Sequence, residues 1–233
     1  MTLSPRAVRV FMDLFRRLFL VGFIAGCRSP PQAVGFGVSS ELVNKATAWM
    51  ARISTWRTRP FKRDVRLELQ SPDGSGNDGW YDPDLEVLTL VDRSAAYSAD
   101  IVLVHELTHA LQDQHQNLGV GVRQPRSKDA ELAWRALVEG EATLAAAELV
   151  GFDVTAHLSG AHGIGNTEQE ATLFTYMVGA QYVASLRREG GWATVDAAWL
   201  NPPDSTAEIR RRVFGSQAPA SAPPTDGPHS APH

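Results

Sequence analysis

The sequence predicts an α+β fold that is mainly helical, with a small antiparallel β element placed before the central helix. Between residues 41 and 214, apolar side chains recur mostly at three- and four-residue intervals, which is typical of amphipathic helices. Two short segments, 65–69 and 85–91, contain instead apolar residues at close spacing over five to seven positions, which is typical of strands. A loop rich in glycine and aspartate separates them, so we expect the two strands to form an antiparallel pair.

The composition is that of an ordinary globular chain. Its 233 residues suit one domain with a core that needs no disulfide, and 43% of them are hydrophobic and 21% charged. The net charge is −4, and the first 26 residues hold four arginines against one aspartate, so the remainder is more acidic still. No basic stripe remains that could follow a phosphate backbone, and we expect no nucleic-acid partner.

Residues 1–26 have the organisation of a secretion signal, because a basic start precedes an apolar run that is too short for an ordinary membrane span. The run ends in Ile24-Ala-Gly-Cys27, which resembles the bacterial lipobox. This resemblance implies an extracytoplasmic protein anchored to the cell envelope through a lipid on Cys27. Arginine rather than aspartate at position 28 implies the outer membrane, in a cell that has one. The alternative is an ordinary signal peptide or anchor with an incidental cysteine.

Two further segments lack periodicity. Residues 27–40 contain proline and glycine and are interpreted as a tether, after which Ser40 can cap a helix that runs to about Thr58. Residues 215–233 are rich in proline, alanine and serine and have little apolar surface to bury, which predicts a disordered tail. The folded domain is therefore expected between residues 41 and 214.

The most informative stretch is Ile101–Gln112, which contains His-Glu-x-x-His in an otherwise apolar run. Residues four apart lie on one face of a helix, so His105 and His109 can direct two imidazoles at one metal ion. Glu106 lies beside them, where it can act on a water that the metal holds. The alternative is a pair of core histidines that are satisfied by hydrogen bonds, but burying these polar groups without a partner is costly.

A catalytic zinc needs a third protein ligand and an open position for water. His115 completes the spacing of metzincins, but those enzymes need a glycine at the position of Gln112, and with glutamine the helix continues and carries His115 away. The other candidates are Glu139 and Glu141. Periodicity slightly favours Glu141, which shares an arc with apolar residues, whereas Glu139 could simply pair with Arg135.

A family resemblance decides between the two glutamates. Val-Glu139-Gly-Glu-Ala142 resembles the Glu-Gly-x-Ala stretch of gluzincin metallopeptidases, in which the first glutamate is the third zinc ligand. Over about residues 80–210 the chain resembles a group of bacterial zincin-like metallopeptidases, and the motifs that carry the likeness are His105–Gln114, Arg135–Thr143, Phe174-x-Tyr176-x-x-Gly179, Gly190-Gly-Trp192 and Pro203-x-Ser205-Thr206. The resemblance implies a zincin-like fold in which His105, His109 and Glu139 bind zinc.

The same resemblance implies a zinc-dependent peptidase with a peptide or protein substrate. Glu106 would act as the general base that takes a proton from the water and passes it to the leaving amine. Such sites usually add a donor for the developing oxyanion, and Tyr176 is the first candidate, followed by Tyr182 and Tyr81. Thr143, one turn after the third ligand, could support that carboxylate.

Two other functions stay open at the level of sequence. One is a non-catalytic zincin-like envelope lipoprotein that binds a partner, and the other is a zinc hydrolase that does not cleave peptide bonds. The chain also departs from the family pattern after residue 206, so no role is carried over beyond that point. By analogy with zincins, the strand before the central helix could form the cleft edge where an extended peptide pairs.

Overall fold

Four β-strands and six α-helices make up the part of the chain that the computed structural model describes, namely residues 29–35, 37–72, 78–92, 99–118, 127–151 and 168–215. From Pro31 onward these residues belong to one compact unit. The strands are β1 (Ala33–Gly35), β2 (Val65–Gln70), β3 (Gly79–Asp82) and β4 (Val87–Val91). The helices are α1 (Ser40–Arg57), α2 (Ala99–Gln116), α3 (Lys128–Ala146), α4 (Glu168–Leu173), α5 (Gly179–Leu200) and α6 (Thr206–Phe214). Two π-helical turns follow α3 and α4, at Ala147–Gly151 and Phe174–Val178.

The prediction of an α+β, mostly helical fold is confirmed, but the predicted pairing of its strands is wrong. The sheet has the order β1-β2-β4-β3, and β2 pairs with β4 in parallel, with Leu67 opposite Leu88. The antiparallel pair is β3 with β4. The reason lies in the turn after β3, where the Asp82 carboxylate accepts hydrogen bonds from the N–H groups of Asp84 and Leu85. The chain therefore reverses there and inserts β4 between β2 and the edge strand β3.

The predicted tether also contains a strand. Ala33–Gly35 pairs in parallel with the start of β2, and the Ala33 N–H donates to the Thr47 hydroxyl at 3.0 Å. A three-residue strand is too short to show a two-residue alternation, which is why its sequence was read as irregular. The following helix α1 begins one residue earlier than predicted, because Ser39 rather than Ser40 caps it by accepting the N–H of Leu42.

A kink divides α5 at Gly190 and Gly191, where Gly191 adopts a φ of 68° that few other residues tolerate. The helix that carries the histidine pair runs on to Gln116, as predicted from Gln112. The predicted secretion signal, Cys27, the Gly-rich loop at 73–77 and the tail after residue 215 lie outside the described residues.

The buried apolar side chains form two clusters. The first joins the sheet to α1 and α2, and the second joins α3, α5, α6 and the π-turn at Phe174–Val178. Trp56 packs against both clusters. Helices α2 and α3 contact each other along the boundary between the clusters, and this contact positions the candidate site. Within the described ranges, no helix combines the length and apolarity that crossing a bilayer requires.

Candidate metal centre

Three side chains from two helices converge at the contact between α2 and α3. The Nε2 atoms of His105 and His109 are 3.0 Å apart, and the Glu139 Oε2 atom lies 3.2 Å from the first and 3.3 Å from the second. Ligand atoms that bind zinc tetrahedrally at about 2.0–2.1 Å are themselves about 3.3–3.4 Å apart. The three atoms are therefore spaced like three corners of such a tetrahedron, and the group could hold a metal ion.

The group is enclosed but remains accessible. The side chains of His105 and His109 are each 11% exposed, and that of Glu139 is 19% exposed. Two imidazoles of one helix reach the same point because they lie four residues apart, with their rings crossing at 83°. The residual exposure shows that solvent can contact the group, and a catalytic zinc site needs such access at its open position.

The electrostatics of the centre favour a cation. Burial lowers the pKa of His109, but the Glu139 carboxylate outweighs it and raises that pKa to about 9. Burial likewise acts to raise the pKa of Glu139, yet His109 and His105 hold it far below its usual value. Without a metal the carboxylate thus stays ionised and attracts a proton to the neighbouring ring, and a metal ion supplies the same positive charge.

Glu106 is held by the edge strand of the sheet. Its Oε2 accepts a hydrogen bond of 2.9 Å from the Tyr81 N–H in β3. That N–H is available because, in an antiparallel ladder, every second residue directs its N–H and C=O away from the partner strand. One oxygen of the Glu106 carboxylate is consequently fixed by the main chain of β3.

Tyr176 lies in the π-helical turn and covers the centre from the side of α3. Its ring stacks on that of His105, with centroids 5.4 Å apart and planes within 5° of parallel. Burial raises the pKa of Tyr176, and the carboxylates of Glu139 and Glu106 raise it further. The hydroxyl therefore remains protonated at neutral pH and can donate a hydrogen bond. Single π-helical turns within α-helices occur frequently at functional sites.

A contact between two glycines brings this turn close to the metal ligand. A Cβ at Gly140 would overlap the main chain of Gly179, and a Cβ at Gly179 would overlap the carbonyl oxygen of Ala136. Helices α3 and α5 can therefore approach main chain to main chain only because both positions are glycine. Since Gly140 follows Glu139 directly and Gly179 follows the π-turn, this approach places Tyr176 beside the carboxylate.

Glu141, the alternative third ligand, faces away from the histidines. It is 2% exposed, and its carboxylate accepts hydrogen bonds from the Arg57 guanidinium and from the Trp199 indole N–H. Arg57 is equally buried and also pairs with Asp196. The apolar arc that favoured Glu141 does predict its burial, but its partner is an arginine of α1 rather than a metal.

The remaining candidates lie elsewhere. His115 donates to the carbonyl of Pro60, 2.9 Å away, and Tyr182 is buried in the second apolar cluster, where burial raises its pKa to about 12. The Tyr81 hydroxyl donates to Asp113 and is thereby engaged away from Glu106. The Thr143 hydroxyl is buried without a hydrogen-bond partner among the described residues, so the predicted support for the Glu139 carboxylate is wrong.

Gln112 contacts the centre in a way that the sequence interpretation missed. Its Oε1 lies 2.8 Å from Nδ1 of His109, and its Nε2 donates to the Val138 carbonyl at 3.0 Å. The signal was present in the sequence, because residue 112 lies three positions after His109 and therefore on the same side of the helix. From sequence alone, the glutamine explains only why the helix continues.

Comparisons of the chain with family models, with curated proteins and with solved structures gave no match.

Proposed function

We propose that the chain is a zinc-dependent peptidase of the zincin type, with His105, His109 and Glu139 as metal ligands and Glu106 as general base. The observation that carries the proposal is the spacing of the three ligand atoms, 3.0–3.3 Å, which matches the edges of a tetrahedral zinc site. Nitrogen from two imidazoles and oxygen from one carboxylate is also the donor set that catalytic zinc takes in peptidases.

The chain places a base at the position that this chemistry needs. A zinc ion bound there would lower the pKa of a coordinated water to about 7 and polarise a scissile carbonyl. Glu106 follows the first histidine directly, and the Tyr81 N–H fixes one of its oxygens. The other oxygen can take the proton of the attacking water and deliver it to the leaving amine.

Tyr176 supports the developing oxyanion in this proposal. Its hydroxyl stays protonated because burial and two carboxylates raise its pKa, and the stacked ring holds it against His105. A preorganised donor of this kind contributes most when it points to where negative charge develops.

Strand β3 is the proposed substrate-binding edge. It is one of the two edge strands of the sheet, and one of its outward N–H groups donates to Glu106, so this edge borders the proposed reacting groups. An extended peptide that added itself to β3 by main-chain hydrogen bonds would pass beside the metal ligands. This placement supports a peptide or protein as the substrate.

We further propose that the enzyme acts outside the cytoplasm, tethered to the envelope by a lipid on Cys27. The support is the lipobox-like sequence alone, because Cys27 lies outside the described residues.

The test is cleavage of a diverse peptide mixture by the purified, zinc-loaded chain and by its Glu106→Gln variant, followed by mass spectrometry. We expect new peptide termini with the wild type and none above background with the variant. Glutamine can still accept the Tyr81 N–H, so both proteins should bind one equivalent of zinc. Absence of cleavage by a zinc-loaded wild type would refute the peptidase and favour the non-catalytic, partner-binding alternative.

A further inference from the structure

Gln112 connects the two helices that carry the ligands. It is 4% exposed and lies on α2, three residues after His109. Its amide bridges the imidazole of His109, at 2.8 Å, and the main-chain carbonyl of Val138, at 3.0 Å. Val138 is the residue immediately before Glu139 in α3. The bridge thus runs from one metal ligand to the backbone that carries another.

The chemistry of the partners determines the direction of each hydrogen bond. A carbonyl oxygen only accepts, so the amide group that faces Val138 must be the NH2 group of Gln112. The group that faces His109 is then the amide oxygen, which also only accepts. Nδ1 of His109 must therefore carry a hydrogen, and the nitrogen that can give up its proton and bind a metal is Nε2, the atom that points at His105 and Glu139.

We propose that Gln112 is a positioning residue for the metal: it fixes the tautomer and ring orientation of His109 and ties that ring to the backbone beside Glu139. The inference rests on the proposed metal site and adds a residue to it. Partners of the second imidazole nitrogen commonly affect metal affinity by about 10- to 100-fold, because they keep the ligand in its binding geometry before the metal arrives.

The same helix offers a matched control. Gln114 is also a buried amide, at 8% exposure, and it also bridges α2 to main chain, through Lys62 and Arg63. None of its hydrogen bonds reaches a metal ligand. Replacing it removes a comparable number of hydrogen bonds from the same helix without touching the centre.

The experiment measures the dissociation constant for Zn²⁺ of the full chain by competition with a chromophoric chelator, in the wild type, Gln112→Leu, Gln112→Glu and Gln114→Leu. We expect Gln112→Leu to bind Zn²⁺ about 10- to 100-fold more weakly, since leucine cannot accept the His109 N–H. Gln112→Glu retains that acceptor and should bind more tightly than Gln112→Leu. Gln114→Leu should lower the melting temperature but leave the dissociation constant within about twofold of the wild type.

A second measurement needs no substitution. Long-range ¹H–¹⁵N spectra of the zinc-loaded wild type should show a hydrogen on Nδ1 of His109 and the metal on Nε2. Coordination through Nδ1 would overturn the proposal even if Gln112→Leu did not fold.

The outcomes separate this inference from the proposed function. A wild type that binds no Zn²⁺ would overturn both. If the wild type binds Zn²⁺ and Gln112→Leu binds it equally well, or if Gln114→Leu weakens binding just as much, the positioning role is wrong and the metal site stands.

Discussion

Glu139 and Glu141 are only two residues apart on α3, yet their side chains point in different directions. Successive residues are about 100° apart, so these two carboxylates leave α3 in directions about 200° apart. Glu139 reaches the histidines of α2, and Glu141 reaches the guanidinium of Arg57 on α1. A buried ion pair is costly to break, because removal of one partner leaves an uncompensated charge.

The two glutamates should therefore respond differently to substitution. Glu139→Ala should lose bound zinc under conditions that leave the wild type loaded. Glu141→Ala should retain zinc but lose about 3 kcal/mol of unfolding free energy, because the buried Arg57 loses one of its two carboxylate partners and keeps Asp196. Metal analysis and denaturant unfolding of both variants provide the check. The assignment of ligands would be wrong if a folded Glu141→Ala lost its zinc while Glu139→Ala kept it.

The sequence predicts those residues of the centre that lie close together in the chain. His105, Glu106 and His109 belong to one helix, whose geometry fixes their relative positions. The choice of Glu139 required the family resemblance, since periodicity indicates which side of a helix is buried and not what lies opposite. The role of Gln112 was missed for the same reason, because its second partner belongs to another helix.

Among the elements, the helices were predictable and the direction of the strands was not. Alternation reveals which residues of a strand face the core, but it is identical for parallel and antiparallel pairing. The decisive feature is the four-residue strand β3, which lies between the two predicted strands in the sequence and is too short to be predicted from alternation. Once β3 occupies the edge, β4 must return between it and β2, and the pair 65–70 with 87–91 becomes parallel.

Glu148 links three elements at the surface. It lies in the π-turn after α3, where its carboxylate accepts hydrogen bonds from the Trp56 indole of α1 and the Arg187 guanidinium of α5. Burial acts to raise the pKa of Glu148, but the hydrogen bonds from Arg187 and Trp56 outweigh it and hold the pKa below its usual value. A carboxylate whose pKa is depressed by folding stabilises the protein above its unfolded pKa.

This sign predicts a stability difference that depends on pH. Glu148→Gln should cost up to about 1 kcal/mol at pH 7, because the carboxylate is partly exposed and water screens the pair. The cost should shrink as the pH falls below about 4.5, because the carboxylate is then increasingly protonated in the unfolded chain, and it should vanish below the depressed pKa of the folded state. Urea unfolding at pH 7 and at pH 4 measures it. The control is Glu189→Gln, which removes a more exposed ion pair with Arg212. If Glu148→Gln lost the same unfolding free energy at both pH values, the prediction would be contradicted.

For the molecule as a whole, the candidate metal centre lies where two apolar clusters meet. The histidines belong to the helix that packs with the sheet, and Glu139 and Tyr176 belong to elements that pack with α5. The geometry of the site therefore depends on how the two clusters are held together, through Trp56 and through the buried pair of Arg57 and Glu141.

The proposed cellular location is a property of the whole chain. Cys27 is the only cysteine in the sequence, so a lipid attached through sulfur can have only one position. We expect a bacterial host fed with labelled palmitate to label the wild type and not Cys27→Ala, and mass spectrometry of the wild type to find Cys27 as the modified first residue. An unlabelled wild type, or a labelled Cys27→Ala, would refute the lipid anchor.

The glycine contact between α3 and α5 limits how far these two helices can shift relative to each other at the candidate centre. Helices usually touch through side chains, whose rotamers can adjust and let the two axes slide. At Gly140 and Gly179 main-chain atoms meet directly, and helical main chain has no rotamers to adjust. The separation of the main chain at Glu139 from the main chain at the end of the π-turn is therefore set by the van der Waals radii of peptide atoms, and repacking of side chains elsewhere along these helices should leave it unchanged.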